Sequence, residues 1–212
     1  MTKIKICGIT NKVDAVEAAR SGVDMLGFIF YKKSPRFVSQ KSARDIINEL
    51  PGDIMKVGVF VDEEPDAVLS LARSAGLDAA QLHGGETPEC CADLKESLKV
   101  IKAFRIKDKK DLSRINGYDV DFYLLDTYQR RARGGTGKTF DWGIISDFEF
   151  LRPIILSGGL NPGNILDAIK TISPFGVDVS SGIEESPGKK DLKLMKKFVE
   201  EIRKADLHEV TR

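Results

Sequence analysis

The chain has 212 residues and a mass of 23.4 kDa, with 33 Lys and Arg against 32 Asp and Glu. A net charge of +1 provides no global field for nucleic acid or an anionic membrane, so any anionic ligand must be gripped by a local site. Cys7, Cys90 and Cys91 make no disulfide framework, the two histidines, His83 and His208, show no zinc-site spacing, and no apolar run approaches the roughly 18 residues of a membrane span.

The opening stretch, Met1 to Cys7, is too short and too interrupted for the core of a signal peptide, which predicts a cytoplasmic protein with reduced thiols. It reads instead as a first strand over 3–7. Further β-rich runs follow at 24–30, 55–61, 78–82, 99–104, 120–126, 153–157 and 176–180. Helical segments lie between them. Ser39 caps one that carries Ala43, Ile46, Ile47 and Leu50, and Pro65 sits in the first turn of the next, ahead of Val68, Leu69 and Leu71. Asn161-Pro162 supplies a cap and a first-turn proline for Ile165, Leu166 and Ile169, and the last helix aligns Leu192, Met195, Phe198, Val199 and Ile202 on one face. Parallel neighbours need a crossover, so this alternation predicts a parallel α/β sheet. Eight repeats predict its closure into a (β/α)8 TIM barrel, one domain over residues 1–212. An open doubly wound sheet of similar length is the competing architecture.

Two of the strand-to-strand spacings are long, and both extra segments follow a strand, on the face where a β/α barrel builds its active site. One is Tyr31 to Arg36. The other runs from Thr127 to Gly143 and contains Gly134-Gly135-Thr136-Gly137, which predicts a lid over the barrel mouth. Gly137-Lys138-Thr139 looks like the end of a nucleotide P-loop, but that pattern needs a glycine five residues earlier, where Ala132 stands. Arg130, Arg131 and Arg133 read as a solvated basic stretch. The seventh strand ends in Ser157-Gly158-Gly159 and the eighth in Ser180-Ser181-Gly182. Small residues after this pair of strands let bare N–H groups approach an anion, so Gly158, Gly159, Ser180 and Ser181 are the predicted phosphate grip. Taken singly, each motif is also compatible with a tight turn and nothing more.

Cys7 ends strand one and Asp126 ends strand six. Alternation points both into the barrel mouth from different sides, where they would flank a substrate as general base and general acid. A thiol near its reference pKa of about 8.5 is little ionised at pH 7, so the base needs help, from Lys5 or from strand-end N–H groups. Asp126 must be protonated to donate, a state that partial burial favours. Arg36 is suited to hold a second substrate anion through two parallel hydrogen bonds. Asp178 points inward on strand eight, to bind a sugar hydroxyl or to anchor the barrel floor. His83, after strand four, is a structural hydrogen bonder or lines the site.

Lys5-Ile6-Cys7-Gly8-Ile9-Thr10, Leu26-Gly27-Phe28-Ile29-Phe30, Ser34-Pro35-Arg36, Val57-Gly58-Val59-Phe60-Val61, Gln81-Leu82-His83-Gly84 and Asp126-Thr127 resemble, in order and spacing, the phosphoribosylanthranilate isomerase family. So do Phe140-Asp141-Trp142, Leu156-Ser157-Gly158-Gly159-Leu160 and Gly176-Val177-Asp178-Val179-Ser180-Ser181-Gly182-Ile183-Glu184. The resemblance implies an Amadori rearrangement of N-(5-phosphoribosyl)anthranilate in tryptophan biosynthesis, with neither cofactor nor metal. It places the base at Cys7, the acid at Asp126, the anthranilate carboxylate on Arg36 and the phosphate at the two small-residue turns. The expected partner is this small phosphorylated substrate, and the chain itself is a monomer or a homodimer. Two rivals stand beside this reading. One is a lyase with Lys102 as a Schiff-base nucleophile, and the other a non-catalytic phosphometabolite-binding subunit, which would keep the glycine turns without needing Cys7 and Asp126.

Overall fold

Strand alternation sorts the side chains into two cores, one inside a ring of strands and one between the ring and its helices. The computed structural model describes residues 1–126 and 142–210. Its strands are β1 (Lys3–Cys7), β2 (Met25–Ile29), β3 (Met55–Phe60), β4 (Ala79–Leu82), β5 (Lys99–Arg105), β6 (Phe122–Asp126), β7 (Ile154–Ser157) and β8 (Gly176–Val179). They pair in that order, all parallel, and β8 returns to β1 through Lys3↔Gly176, Ile4↔Val177, Lys5↔Asp178 and Ile6↔Val179. The barrel is closed, as eight repeats predict, and the open sheet is excluded.

Inside the ring, Met25, Val57, Ala79, Ile101, Ala103, Leu124 and Ile155 form one apolar cluster. On the β1–β8 side this filling gives way to an ion pair, Lys5 Nζ to Asp178 Oδ1 at 2.9 Å, with both side chains buried. Outside the ring, Ile4, Ile6, Leu26, Phe28, Leu125 and Val177 pack against the helix faces. Each large apolar side chain fully buried there contributes about 1.5–3 kcal/mol.

The helices α1 (Lys12–Arg20), α2 (Gln40–Ile47), α3 (Pro65–Ala75) and α4 (Pro88–Lys95) start where capping chemistry places them. Ser39 Oγ accepts from the Ser42 N–H, and Pro65 opens α3. Between β5 and β6 the crossover is a 3₁₀ segment, Lys109–Gly117, and not an α-helix. Asp108 and Asp111 close a capping box at its start. The described part of the β6 crossover holds the short α5 (Gly143–Ser146). Helix α6 (Ile165–Ile172) begins later than expected. Asn161 Oδ1 accepts from the Gly163 N–H, so Asn161-Pro162 builds a turn of its own, and Asn164 is the residue that precedes the helix. The predicted lid motif at 134–137, the P-loop-like residues Gly137 to Thr139 and Arg130, Arg131 and Arg133 lie outside the described residues.

Past β8 the chain makes a short antiparallel hairpin, β9 (Glu184–Ser186) and β10 (Lys189–Lys190), and then α7 (Leu192–Val210). Asp206 on α7 accepts from the N–H and the hydroxyl of Thr2 at 2.9 and 2.8 Å, which ties the last helix to the first strand.

Candidate active site

The C-terminal ends of β1, β4, β6, β7 and β8, together with Arg36 from the loop after β2, enclose a cavity of about 280 Å³. Cys7, Arg36, His83, Asp126, Gly158, Gly159, Asp178, Ser180 and Ser181 all line it. The residues assigned from the sequence to the acid, the base, the carboxylate clamp and the phosphate grip, with Asp178 and His83, therefore meet at one place. In the ring β1 and β6 are separated by β7 and β8 on the short side, so Cys7 and Asp126 reach the cavity from well-separated strands.

Cys7 is 6% exposed. Its room comes from Gly27 on the neighbouring strand, where a Cβ would stand 2.8 Å from Sγ and 3.1 Å from Lys5 Nζ. The same missing side chain thus accommodates both the thiol and the lysine beside it. Lys5 is placed to help the thiol ionise, as expected, but the outcome differs from the expectation. Burial pushes the Cys7 thiol up, Lys5 and Lys190 pull it down, and Asp178 adds to the push, with a net rise. Lys5 has already spent much of its charge on Asp178. Burial opposes its ammonium, yet Asp178 and Cys7 outweigh burial and hold its pKa above the ordinary lysine value.

Asp178 has a partner on each of its carboxylate oxygens. One oxygen accepts from Lys5 and the other from Ser157 Oγ at 3.1 Å. Asp178 also lines the cavity beside these two partners. His83 stands between two side chains. The Gln81 amide nitrogen is 3.0 Å from Nδ1, and Asp126 Oδ2 is 3.6 Å from Nε2. An amide N–H donating to Nδ1 leaves the imidazole proton on Nε2, facing Asp126. Asp126 is partly buried, its side chain 20% exposed. Gln81 is the polar residue that sequence reasoning missed here. Two-residue alternation back from His83 could have found it, since it lies inward on β4 and lines the same cavity.

At the turns after β7 and β8, Gly158 and Gly159 have φ of 98° and 69°, backbone that favours glycine. Ser181–Ile183 begins a 3₁₀ turn directly beyond β8. The first N–H groups of such a turn have no partner within it, which suits an anion. Ser180 Oγ is buried without a hydrogen-bond partner among the described residues.

Arg36 does not wait unpaired. Its Nε and Nη2 bind the Glu184 carboxylate, at 2.8 and 2.6 Å. Lys102, the rival Schiff-base nucleophile, is absent from this cavity. It lies between Ile101 and Ala103, which face the barrel interior, and its ammonium meets Glu86 at 2.7 Å with both side chains almost fully buried. Carbonyls of Gly84 and Leu82 lie at 2.9 and 3.4 Å from the same nitrogen. This is a satisfied structural ion pair, and its position gives a Schiff base no support.

A family model described as N-(5'phosphoribosyl)anthranilate (PRA) isomerase matches residues 4–201. The chain is 45% identical over 204 residues to the N-(5'-phosphoribosyl)anthranilate isomerase of Geobacter sp. (strain M21), covering 96% of this chain and 99% of that one. It is 48% identical over 200 residues to the enzyme of that name from Thermotoga petrophila, covering 94% and 97%. The crystal structure of phosphoribosyl anthranilate isomerase from Thermotoga maritima superposes with a TM-score of 0.89 at 45% identity, over 96% of this chain and all of that one, 100%. A second such structure, in complex with reduced 1-(o-carboxyphenylamino)-1-deoxyribulose 5-phosphate, gives a TM-score of 0.87 at 42% identity, over 96% and 100%. With the match extending over nearly the whole length, this chain belongs to the N-(5'-phosphoribosyl)anthranilate isomerase family.

Proposed function

We propose that Cys7 and Asp126 perform, as general base and general acid, the Amadori rearrangement of N-(5'-phosphoribosyl)anthranilate, the aldose–ketose isomerisation of this family. The observation that carries the reading is their convergence, from separated strands, on one cavity that also contains the turns at Gly158-Gly159 and Ser180-Ser181. A phosphate held at those turns and a carboxylate held by Arg36 would fix the substrate at both ends and hold the sugar between acid and base. Asp126 gives its proton to the ribose ring oxygen, the bond from that oxygen to C1 breaks, and the nitrogen lone pair closes an iminium. Cys7 then removes the proton from C2, which leaves an enolamine. Tautomerisation takes a proton up at C1 and releases one from the C2 hydroxyl, giving the ketone with no net change in protons. His83, whose Nε2–H faces Asp126, lines the substrate's path beside the acid. Asp178 acts through Lys5.

The raised thiol pKa has a consequence for this scheme. The resting base is a thiol, so the thiolate fraction rises with pH across the neutral and mildly alkaline range. The chain is further read as one barrel domain working in the cytoplasm on a small phosphorylated molecule, as a monomer or homodimer, without a nucleic-acid partner. No helix of the described residues is long and apolar enough to cross a membrane, and a relative in this family is described as dimeric. The test is turnover of the anthranilate substrate followed by fluorescence in wild type, Cys7→Ser and Asp126→Asn. Each variant should lose about 10²–10⁴ in kcat. Full activity in either refutes the role given to that residue.

A further inference from the structure

The hairpin β9–β10 presents two charged side chains to the protein interior. Glu184 is 4% exposed and Lys190 is fully buried. The Glu184 carboxylate accepts from Arg36 Nε at 2.8 and 3.1 Å and from Arg36 Nη2 at 2.6 Å. It also accepts from Lys190 Nζ at 2.9 Å and from the Gly188 N–H at 3.4 Å. Lys190 Nζ donates in addition to the Cys7 carbonyl at 2.6 Å and to the Ser180 carbonyl at 3.3 Å. Three acceptors occupy all three N–H bonds of an ammonium, which is the geometry of the charged form even though burial draws the group's pKa down.

The cluster therefore joins two cations and one carboxylate at the wall of the cavity. Arg36 and Glu184 alone would be a neutral pair with little pull on an incoming anion. With Lys190 included, these three side chains sum to one positive charge, and the buried Asp14 carboxylate, which accepts from the Lys190 main-chain N–H at 2.8 Å, lies as an anchor at the far end of Lys190 from the ammonium that meets Glu184. Arg36 spends its Nε–H and one Nη2–H on Glu184, so three of its five N–H donors stay available to a ligand. A guanidinium already fixed in plane loses less freedom when it binds a carboxylate than a free side chain does. Lys190 also grips the main chain at the ends of β1 and β8, so the hairpin braces the residue that bears the thiol and the serine turn together.

We propose that Glu184 and Lys190 are positioning residues for the substrate carboxylate: Glu184 fixes the Arg36 guanidinium at the cavity wall, and Lys190 offsets the charge of Glu184 so that the fixed guanidinium still attracts an anion. This rests on Arg36 being the carboxylate clamp, and the test separates the two ideas. The probes are reduced 1-(2-carboxyphenylamino)-1-deoxyribulose 5-phosphate and its counterpart lacking the ring carboxylate, each titrated by calorimetry. The quantity read is the dissociation constant of the carboxylate-free ligand divided by that of the carboxylate-bearing one, which a general loss of structure does not shift selectively. Glu184→Asp keeps the charge and shortens the reach. Lys190→Met keeps the length and removes the charge. Each should lower the ratio by about tenfold or more; in Glu184→Asp the carboxylate-free ligand should bind within about threefold of wild type, while in Lys190→Met both ligands weaken together by whatever the Ser180 turn loses. Should Lys190→Met fail to fold, because the Cys7 and Ser180 carbonyls lose a donor, Glu184→Asp decides alone. An unchanged ratio in a hairpin variant, beside a collapsed ratio in Arg36→Met, overturns the part assigned to that residue. An unchanged ratio in Arg36→Met overturns the clamp itself, and this proposal with it.

Discussion

Removal of the Lys5 ammonium tests the electrostatics of the site most directly, because two different quantities should move for two separable reasons. Lys5→Met leaves Asp178 buried with, among the described residues, the Ser157 hydroxyl as its side-chain partner. Breaking a buried ion pair from one side costs about 3–5 kcal/mol of stability. The same change strips the thiol of its nearest cation. Cys7 Sγ and Lys5 Nζ lie within about 6 Å of each other, since one point is 2.8 Å from the first and 3.1 Å from the second. Across that separation the ammonium favours the thiolate, and its loss raises the thiol's pKa further. Cys7 is the proposed base, so the rising limb of kcat/KM should move to higher pH. Denaturant titration measures the first effect, and the ratio of variant to wild-type kcat/KM at pH values from about 7 to 10, which falls if the limb has moved up, measures the second. The double variant Lys5→Met/Asp178→Asn should regain most of the stability, because it removes the stranded charge, and should regain part of the thiol acidity, because Asp178 raises the Cys7 pKa. A Lys5→Met protein as stable as wild type, or a limb that stays in place, refutes the reasoning.

Wild type itself should show a rising limb above the ordinary thiol range, since burial raises Cys7 and only the thiolate can act; a limb well below pH 8 would contradict this. Lys102→Met should retain turnover within about tenfold while losing about 3–5 kcal/mol, because Glu86 stays buried without its partner; borohydride trapping of a substrate adduct on Lys102 would overturn the structural assignment. Cys91 is buried on α4 and pushed up to about 12, so the unfolded chain ionises this thiol first. Its contribution is intact below the unfolded value near 9 and fades as pH rises toward 12, at about 1.4 kcal/mol per pH unit. Cys91→Ala should therefore flatten the fall of Tm between pH 9 and 10.5, and an unaltered slope would remove Cys91 as its cause.

What the sequence made legible was whatever repeats with a period. Each strand expected from β-rich runs formed within about two residues of its place, because a strand buried on both faces declares itself by local composition. Cys7, Asp126, Gly158 and Ser180 were legible for the same reason, since strand ends on one face of a barrel must converge. The Lys109–Gly117 crossover kept its capping signal but not its helix type, because Asp108 and Asp111 satisfy the first N–H groups of a 3₁₀ turn as well as those of an α-helix. The thiol's acidity was not legible at all. It depends on how far Asp178, which is 173 residues away from Lys5, neutralises that lysine, and no local pattern encodes that balance. Nor was the hairpin, whose strands of three and two residues are too short to carry a period. Yet Glu184 and Lys190 reach the clamp only because the chain folds back over β1 and β8 after the barrel has closed. The barrel's repeats thus locate the proposed acid and base, while the charge balance around the proposed base and clamp comes from contacts between residues far apart in sequence.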